Sequence, residues 1–253
     1  MADKIRLIAR LEVKNDYLVK GIQLEGLRKL GDPHDFAKEY YEDGIDEILY
    51  LDIVASLYNR NNLSYILRRT TEDVFIPITV GGGLRTLEDV QKALGQGADK
   101  VAINTAAIKD PQLITRVAQA YGSQCMVLSI QAKRRRDAAG WEAYYDNGRE
   151  HSGLDVVEWA KRGVELGAGE ILLTSVDREG LGRGMDEELI EAVASEVPVP
   201  VIAAGGAGGV DDIAAAAKKG ASAVAVSSLL HYHRATVAGL KEELAKRGVK
   251  VRR

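Results

Sequence analysis

Val80-Gly81-Gly82-Gly83-Leu84 and, 205 − 82 = 123 residues further on, Ala204-Gly205-Gly206-Ala207 each close an apolar run and open an acidic, amphipathic stretch (Glu88-Asp89; Asp211-Asp212). The same offset lays Gly97-Ala98-Asp99-Lys100-Val101-Ala102-Ile103-Asn104 on Gly220-Ala221-Ser222-Ala223-Val224-Ala225-Val226-Ser227. It also lays Asp46-Glu47-Ile48-Leu49 on Gly169-Glu170-Ile171-Leu172. Glycine lets backbone approach an oxyanion closely, and the N–H groups of a following helical turn bind phosphate. A single glycine pair at a strand–helix turn carries little weight. Two at equivalent places, each followed by a polar turn after the next strand (Asn104-Thr105; Ser227-Ser228), point to two related anion sites and a ligand with two phosphates.

Working outward, eight short apolar runs read as strands near Arg6–Val13, Glu47–Ile53, Ile76–Val80, Lys100–Ile103, Cys125–Ile130, Glu170–Thr174, Val199–Ala204 and Ala223–Val226. Segments of helical period lie between them, among them Asp35–Asp43, Thr86–Gln96, Asp110–Tyr121, Leu154–Leu166, Met185–Ser195 and Val210–Lys219. Strict alternation of strand and helix predicts a parallel sheet covered by helices. Eight units without a linker predict one α/β domain over residues 1–253, a closed (β/α)8 TIM barrel. The repeat divides it into half-barrels of about 1–123 and 124–253. The longest irregular stretches, Lys14–Pro33 and Lys133–His151, follow strands one and five and are expected to act as lids.

Composition narrows the function. Hydrophobic residues make up 46% and charged residues 28%, ordinary for a soluble globular chain. The net charge of −3 gives no reason to expect nucleic acid or an anionic membrane as partner. The single Cys125 excludes an intrachain disulfide framework and fits a reducing, cytoplasmic setting; it reads as a small buried residue. No signal region or bilayer-spanning run is present. His231-Tyr232-His233 lacks acidic or cysteine partners for zinc, so neither metal nor cofactor is expected. Lys133-Arg134-Arg135-Arg136 reads as a solvated loop, and Trp141 and Trp159 as packing residues, with Trp141 placed where it could cover a ligand.

Barrels of this kind bind ligands at the C-terminal ends of their strands. Gly83, Asn104 and Thr105 then form one phosphate site, and Gly206, Ser227 and Ser228 with Gly180 form the other. In strand one Arg6, Ile8, Arg10 and Glu12 share a face, which places Glu12 at the catalytic end and Arg6 at the opposite end. Gln131 holds the position of Glu12 in the second half. An acid/base pair needs an ionisable group at both places, and an amide does not exchange protons usefully. Arg6, Glu47, Lys100 and Glu170 begin four strands; they are either surface charges or a paired plug that opens for a small neutral molecule.

Several runs together resemble one family: Val19-Lys20-Gly21, Gly31-Asp32-Pro33, Leu51-Asp52-Ile53-Val54-Ala55-Ser56, Thr79-Val80-Gly81-Gly82-Gly83, Ile103-Asn104-Thr105-Ala106-Ala107, Gly122-Ser123-Gln124 and Gly169-Glu170-Ile171-Leu172-Leu173-Thr174-Ser175. Over essentially its whole length the chain resembles HisF, the cyclase subunit of imidazole glycerol phosphate synthase. The resemblance implies a barrel that receives ammonia from a HisH-like glutaminase on its N-terminal face and passes it along the axis to a bis-phosphorylated substrate. It implies that Arg6, Glu47, Lys100 and Glu170 are the ammonia gate, that Asp99 lies at the glutaminase interface, and that Lys20 belongs to the mobile loop after strand one.

The departures fall at the chemistry. The family has aspartates at the positions of Glu12 and Gln131, a small residue at Arg10 and an aspartate at Glu179. The leading expectation is therefore an ammonia-channelling subunit of a glutamine amidotransferase complex. It would serve a phosphorylated acceptor of surface-glycan biosynthesis beside an ATP-dependent sugar amidotransferase. The alternatives are a histidine-pathway cyclase that uses Glu12 and a non-catalytic activator of the glutaminase.

Overall fold

The computed structural model describes residues 4–55 and 63–252; Ser56 of the Leu51–Ser56 run lies outside them. Twelve strands are described: β1 Arg6–Lys14, β2 Tyr17–Ile22, β3 Glu25–Gly31, β4 Glu47–Asp52, β5 Ile78–Gly81, β6 Lys100–Ile103, β7 Met126–Arg134, β8 Trp141–Tyr145, β9 Glu150–Asp155, β10 Glu170–Ser175, β11 Val201–Ala204 and β12 Ala223–Val226. Eight of them (β1, β4, β5, β6, β7, β10, β11, β12) pair in parallel in that order, and β12 pairs back onto β1. This is a closed (β/α)8 TIM barrel.

Among the described residues, ten α-helices lie in the connections: α1 Pro33–Glu42, α2 Leu63–Asp73, α3 Leu87–Gly95, α4 Thr105–Lys109, α5 Gln112–Tyr121, α6 Val156–Glu165, α7 Glu187–Ala194, α8 Val210–Lys218, α9 Ser228–His231 and α10 Val237–Lys246. Side-chain caps start several of them. Asp32 accepts from the His34 N–H, Asp155 from Val157 and Glu158, and Asp186 from Leu189. The Asp186 cap is why the helix expected from Met185 begins at Glu187. The helix expected over Asp110–Tyr121 begins at Gln112, because Pro111 precedes it and α4 occupies the turn before.

Alternation along each barrel strand splits the apolar residues into two cores. Leu7, Ala9, Leu11 and Val13 join the large cluster between sheet and helices, while Ile8, Leu49, Ala102, Val127, Leu172, Ile202, Ala223 and Ala225 fill the bore. The repeat holds at backbone level. Gly82 (φ 92°) and Gly205 (φ 93°) match, as do Gly97 (φ 106°) and Gly220 (φ 98°). Asp89 accepts from the Arg85 N–H and Asp212 from the Gly208 N–H, one offset apart. Glu12 pairs in register with Leu51, and Gln131 with Thr174, the residue 123 positions beyond Leu51, so Glu12 and Gln131 are structural equivalents.

The two stretches expected to be irregular are regular. β1 and β7 run on past the barrel rim into antiparallel hairpins, β2–β3 and β8–β9. Strand β3 (Glu-Gly-Leu-Arg-Lys-Leu-Gly) has no buried residue, so it carries no apolar alternation for a sequence reading to find. Left-handed residues at Asn15, Gln23-Leu24 and Asp146-Asn147 make the turns.

Two glycine substitutions should have opposite signs. A Cβ at Gly82 would stand 2.1 Å from the Asp52 carbonyl oxygen on a backbone with φ 92°, whereas one at Gly95 meets nothing within 4 Å. Gly82→Ala is expected to cost about 2 kcal/mol or more. Gly95→Ala, at the end of α3, is expected to add about 0.5 kcal/mol. Urea denaturation of both variants checks the pair.

Candidate functional site

At the N-terminal end of the bore, Arg6, Glu47, Lys100 and Glu170 pair with one another. Arg6 donates to Glu47 at 2.6 Å and to Glu170, and Lys100 donates to the same two carboxylates at 3.1 and 3.0 Å. Each glutamate is shared by both cations, which offsets its desolvation. The surface reading of these four residues does not apply. Glu47 and Glu170 are related by the repeat; Arg6 and Lys100 are not, and Lys100 is the most exposed of the four side chains at 19%. Asp99 does not join the ring; it accepts from the Ile78 N–H at 2.8 Å.

One layer up lies the apolar bore, and above it a second set of charges. Arg10 donates to Glu12 at 2.6 Å and Glu179 at 3.3 Å, and Lys20 of β2 donates to Glu12 at 2.9 Å and to Glu179. All four are at most 3% exposed. Burial alone would raise the Glu12 pKa, but the Lys20 and Arg10 charges outweigh it and hold the carboxyl below the usual carboxylate range. The hairpin that carries Lys20 is tied down by Gln23, whose N–H donates to the Glu179 carbonyl at 2.9 Å. The position of Gly180 belongs to the same contact, because a Cβ there would stand 2.5 Å from the Gly21 carbonyl oxygen.

Two openings reach this face of the barrel beside the candidate anion turns. The first is a cavity of about 390 Å³ lined by Gly82, Gly83, Asn104, Thr105, Arg10 and Gln131, with Ser129 and Asp52 on its walls. Hairpin β8–β9 docks on its rim: Asn104 Nδ2 donates to the Tyr144 carbonyl at 3.1 Å, and Thr105 Oγ1 accepts from the Asp146 N–H at 3.1 Å. The second brings together Gly180, Gly206, Ser227 and Ser228, but as a crevice of about 20 Å³, room for about one water. Glu179 lines it, and the Ser227 hydroxyl is engaged with the Arg10 carbonyl at 3.0 Å. The two turns are thus alike in backbone and unlike in space.

His231 supports the site from beneath. Its Nε2 lies 3.0 Å from the Arg10 carbonyl, which can only accept, so Nε2 carries the proton and Nδ1 accepts from the Tyr40 hydroxyl at 2.7 Å. Burial first, and then the Lys20 charge, push its pKa down to about 3. Both ring nitrogens are engaged, a buried role the His-Tyr-His triplet did not announce. Trp141 lines neither opening; it is buried and donates to Asp186 at 3.1 Å. Cys125 is buried, and burial pushes its thiol up. Of the basic run, Lys133 donates to the Gly148 carbonyl at 2.6 Å and Arg134 pairs with Glu188. Ser129 and Thr174 are site residues that the sequence reading passed over; the alternation that put Gln131 inward puts Ser129 inward too.

A charged ring at one mouth, an apolar bore and a polar cavity beside paired glycine turns at the other define a (β/α)8 barrel built from two halves. The chain belongs to the family described as Histidine biosynthesis protein, which it matches over residues 6–236. It is 58% identical over 202 residues to a protein named imidazole glycerol phosphate synthase subunit HisF from Legionella pneumophila, covering 80% of this chain and 95% of that one. It is 46% identical to the protein of the same name from Mycobacteroides abscessus and 48% to that from Bifidobacterium longum, covering both chains in full. No described helix is long and apolar enough to cross a membrane.

The buried neutral imidazole makes stability pH-dependent. Folded His231 takes up a proton only near pH 3, whereas an unfolded histidine does so near 6.5, so the unfolded state binds more protons between those values and stability falls as pH drops. Between pH 7 and pH 5, above the range where carboxylates titrate, the loss from this group should be about 2 kcal/mol. Urea midpoints at the two pH values should show it, and His231→Gln should flatten the dependence.

Proposed function

We propose that the chain is a HisF-type synthase subunit. On this reading a glutaminase partner docks on the Arg6–Glu47–Lys100–Glu170 face, and ammonia passes through the bore to a phosphorylated acceptor held at the Gly82-Gly83 and Asn104-Thr105 turns. The carrying observation is the stacking of the bore: an ion-paired ring below, Ile8, Leu49, Val127 and Leu172 in the middle, and a polar cavity above. Neutral ammonia crosses an apolar layer cheaply, and ammonium does not. Lys100 is the part of the ring suited to move. Its chain is flexible and partly exposed, and its departure leaves both glutamates on Arg6.

The relatives' names favour imidazole glycerol phosphate synthase, so cyclisation with Glu12 as the ionisable group is the first reading. Glu12 works there only once an incoming anion draws Lys20 away, because a carboxylate held by two cations is a poor base. A second reading rests on Gln131, an amide where a proton-transfer pair needs an acid: the chain passes ammonia to an acceptor without cyclising it. The expectation that this acceptor belongs to surface-glycan biosynthesis gains no support from these relatives' names.

The test supplies the purified chain with ammonium salts and the bis-phosphorylated histidine precursor, and asks in parallel whether the gene rescues a cyclase-deficient bacterium. Turnover with rescue supports cyclisation; neither, with stimulated glutamine hydrolysis by the partner, moves the assignment to the second reading. Within the glutaminase complex, Lys100→Ala is expected to lower product formed per glutamine hydrolysed while leaving ammonium-driven turnover unchanged. Unaltered coupling would remove the ring from the pathway.

A further inference from the structure

A further cleft opens between the two hairpins. It measures about 800 Å³ and shares no lining residue with the cavity at Gly82-Gly83 or with the crevice at Gly206. Strand register explains its floor. Lys133 pairs with Glu142 and Tyr144 with His151, and the ladder continues through the Arg135 N–H, which donates to the Gly140 carbonyl at 3.1 Å. Side chains alternate along a strand, so Lys133, Arg135, Glu142, Tyr144 and His151 share one face of β7, β8 and β9. All five line the cleft, together with Arg136 and Arg149. The opposite wall is hairpin β2–β3, through Ile22, Gln23 and Glu25, with Asp177 beyond β10.

Charge on the floor is unevenly matched. Lys133 donates to the Gly148 carbonyl at 2.6 Å, and Arg134 pairs with Glu188, which does not line the cleft. Glu142 accepts from the Gly153 N–H at 2.8 Å and lies 3.2 Å from His151 Nδ1, and Asp177 accepts from the Arg134 N–H at 2.8 Å. Glu25 and Asp137 are exposed. Among the described residues, the guanidiniums of Arg135, Arg136 and Arg149 make no ion pair. Three like charges around one concave space repel, and an anion that bridges them removes the repulsion.

We propose that this cleft is a further anion site, separate from the glycine turns, that takes a small molecule with two or three linked phosphates. A guanidinium meets phosphate oxygens in bidentate fashion, and a lone carboxylate or orthophosphate reaches only part of the set. The volume suits a nucleotide-sized ligand. The Tyr144 and His151 rings, with centroids 4.5 Å apart, supply an aromatic surface beside the arginines. The linked phosphates belong to a nucleoside triphosphate or to an inorganic chain. The site stands apart from ammonia transfer and cyclisation, and it survives if either of those readings fails.

Calorimetry with the full chain at low salt tests this, with inorganic triphosphate, a nucleoside triphosphate and orthophosphate as probes. Arg136→Ala/Arg149→Ala removes two exposed side chains that make no ion pair, so the fold is expected to stand. Its affinity for triphosphate should fall about tenfold or more, while orthophosphate, the probe of the glycine turns, binds as in the wild type. Arg68→Ala/Lys92→Ala removes the same charge from exposed positions of α2 and α3 and should leave triphosphate affinity unchanged. Tighter binding of the nucleoside triphosphate than of the inorganic one makes a nucleotide the occupant; equal binding makes it the phosphate chain, and either upholds the site. No triphosphate binding by the wild type, unchanged affinity in Arg136→Ala/Arg149→Ala, or an equal loss in Arg68→Ala/Lys92→Ala overturns it.

Discussion

Eight charged side chains lie in the bore in two neutral sets of four, and mutual neutralisation is the condition on which the barrel stands. Arg6 and Lys100 share Glu47 and Glu170 at one end; Arg10 and Lys20 share Glu12 and Glu179 at the other. In each set every carboxylate meets both cations, so each buried charge is offset by the others. The sets differ in provenance. The lower one belongs wholly to barrel strands, whereas the upper one depends on Lys20, which a hairpin outside the barrel delivers.

That difference separates an end built from barrel strands alone from one that a hairpin completes. Between the sets lies the apolar layer of Ile8, Leu49, Val127 and Leu172. Above the upper set, hairpins β2–β3 and β8–β9 close over the mouth through a few bonds, among them Gln23 to Glu179 and Asn104 to Tyr144. The duplicated frame thus supports unequal halves: an open cavity at the first glycine turn, and at the second a crevice narrowed by Glu179.

Legibility in the sequence followed period and spacing. The eight barrel strands and the 123-residue repeat were readable because buried strands need apolar residues and tight turns need glycine, and the shared face of Arg6, Ile8, Arg10 and Glu12 followed from alternation alone. Hairpin β2–β3 was not readable, since β3 buries nothing and so has no apolar face to betray it. The contact of Lys20 with Glu179, 159 residues apart, has no local signature, nor does that of His231 with the Arg10 carbonyl, 221 apart.

By itself the sequence determined the barrel, its doubling, and which residues of strand one share a face, because chain direction and the two-residue period of a strand settle these locally. Only the tertiary structure decided that the four strand-start charges pair rather than face water, that Glu12 is bound by two cations, and that the second glycine turn is narrow. Those outcomes depend on which charges meet across the barrel and how much room remains between hairpin and rim. Neither is a property of any one segment.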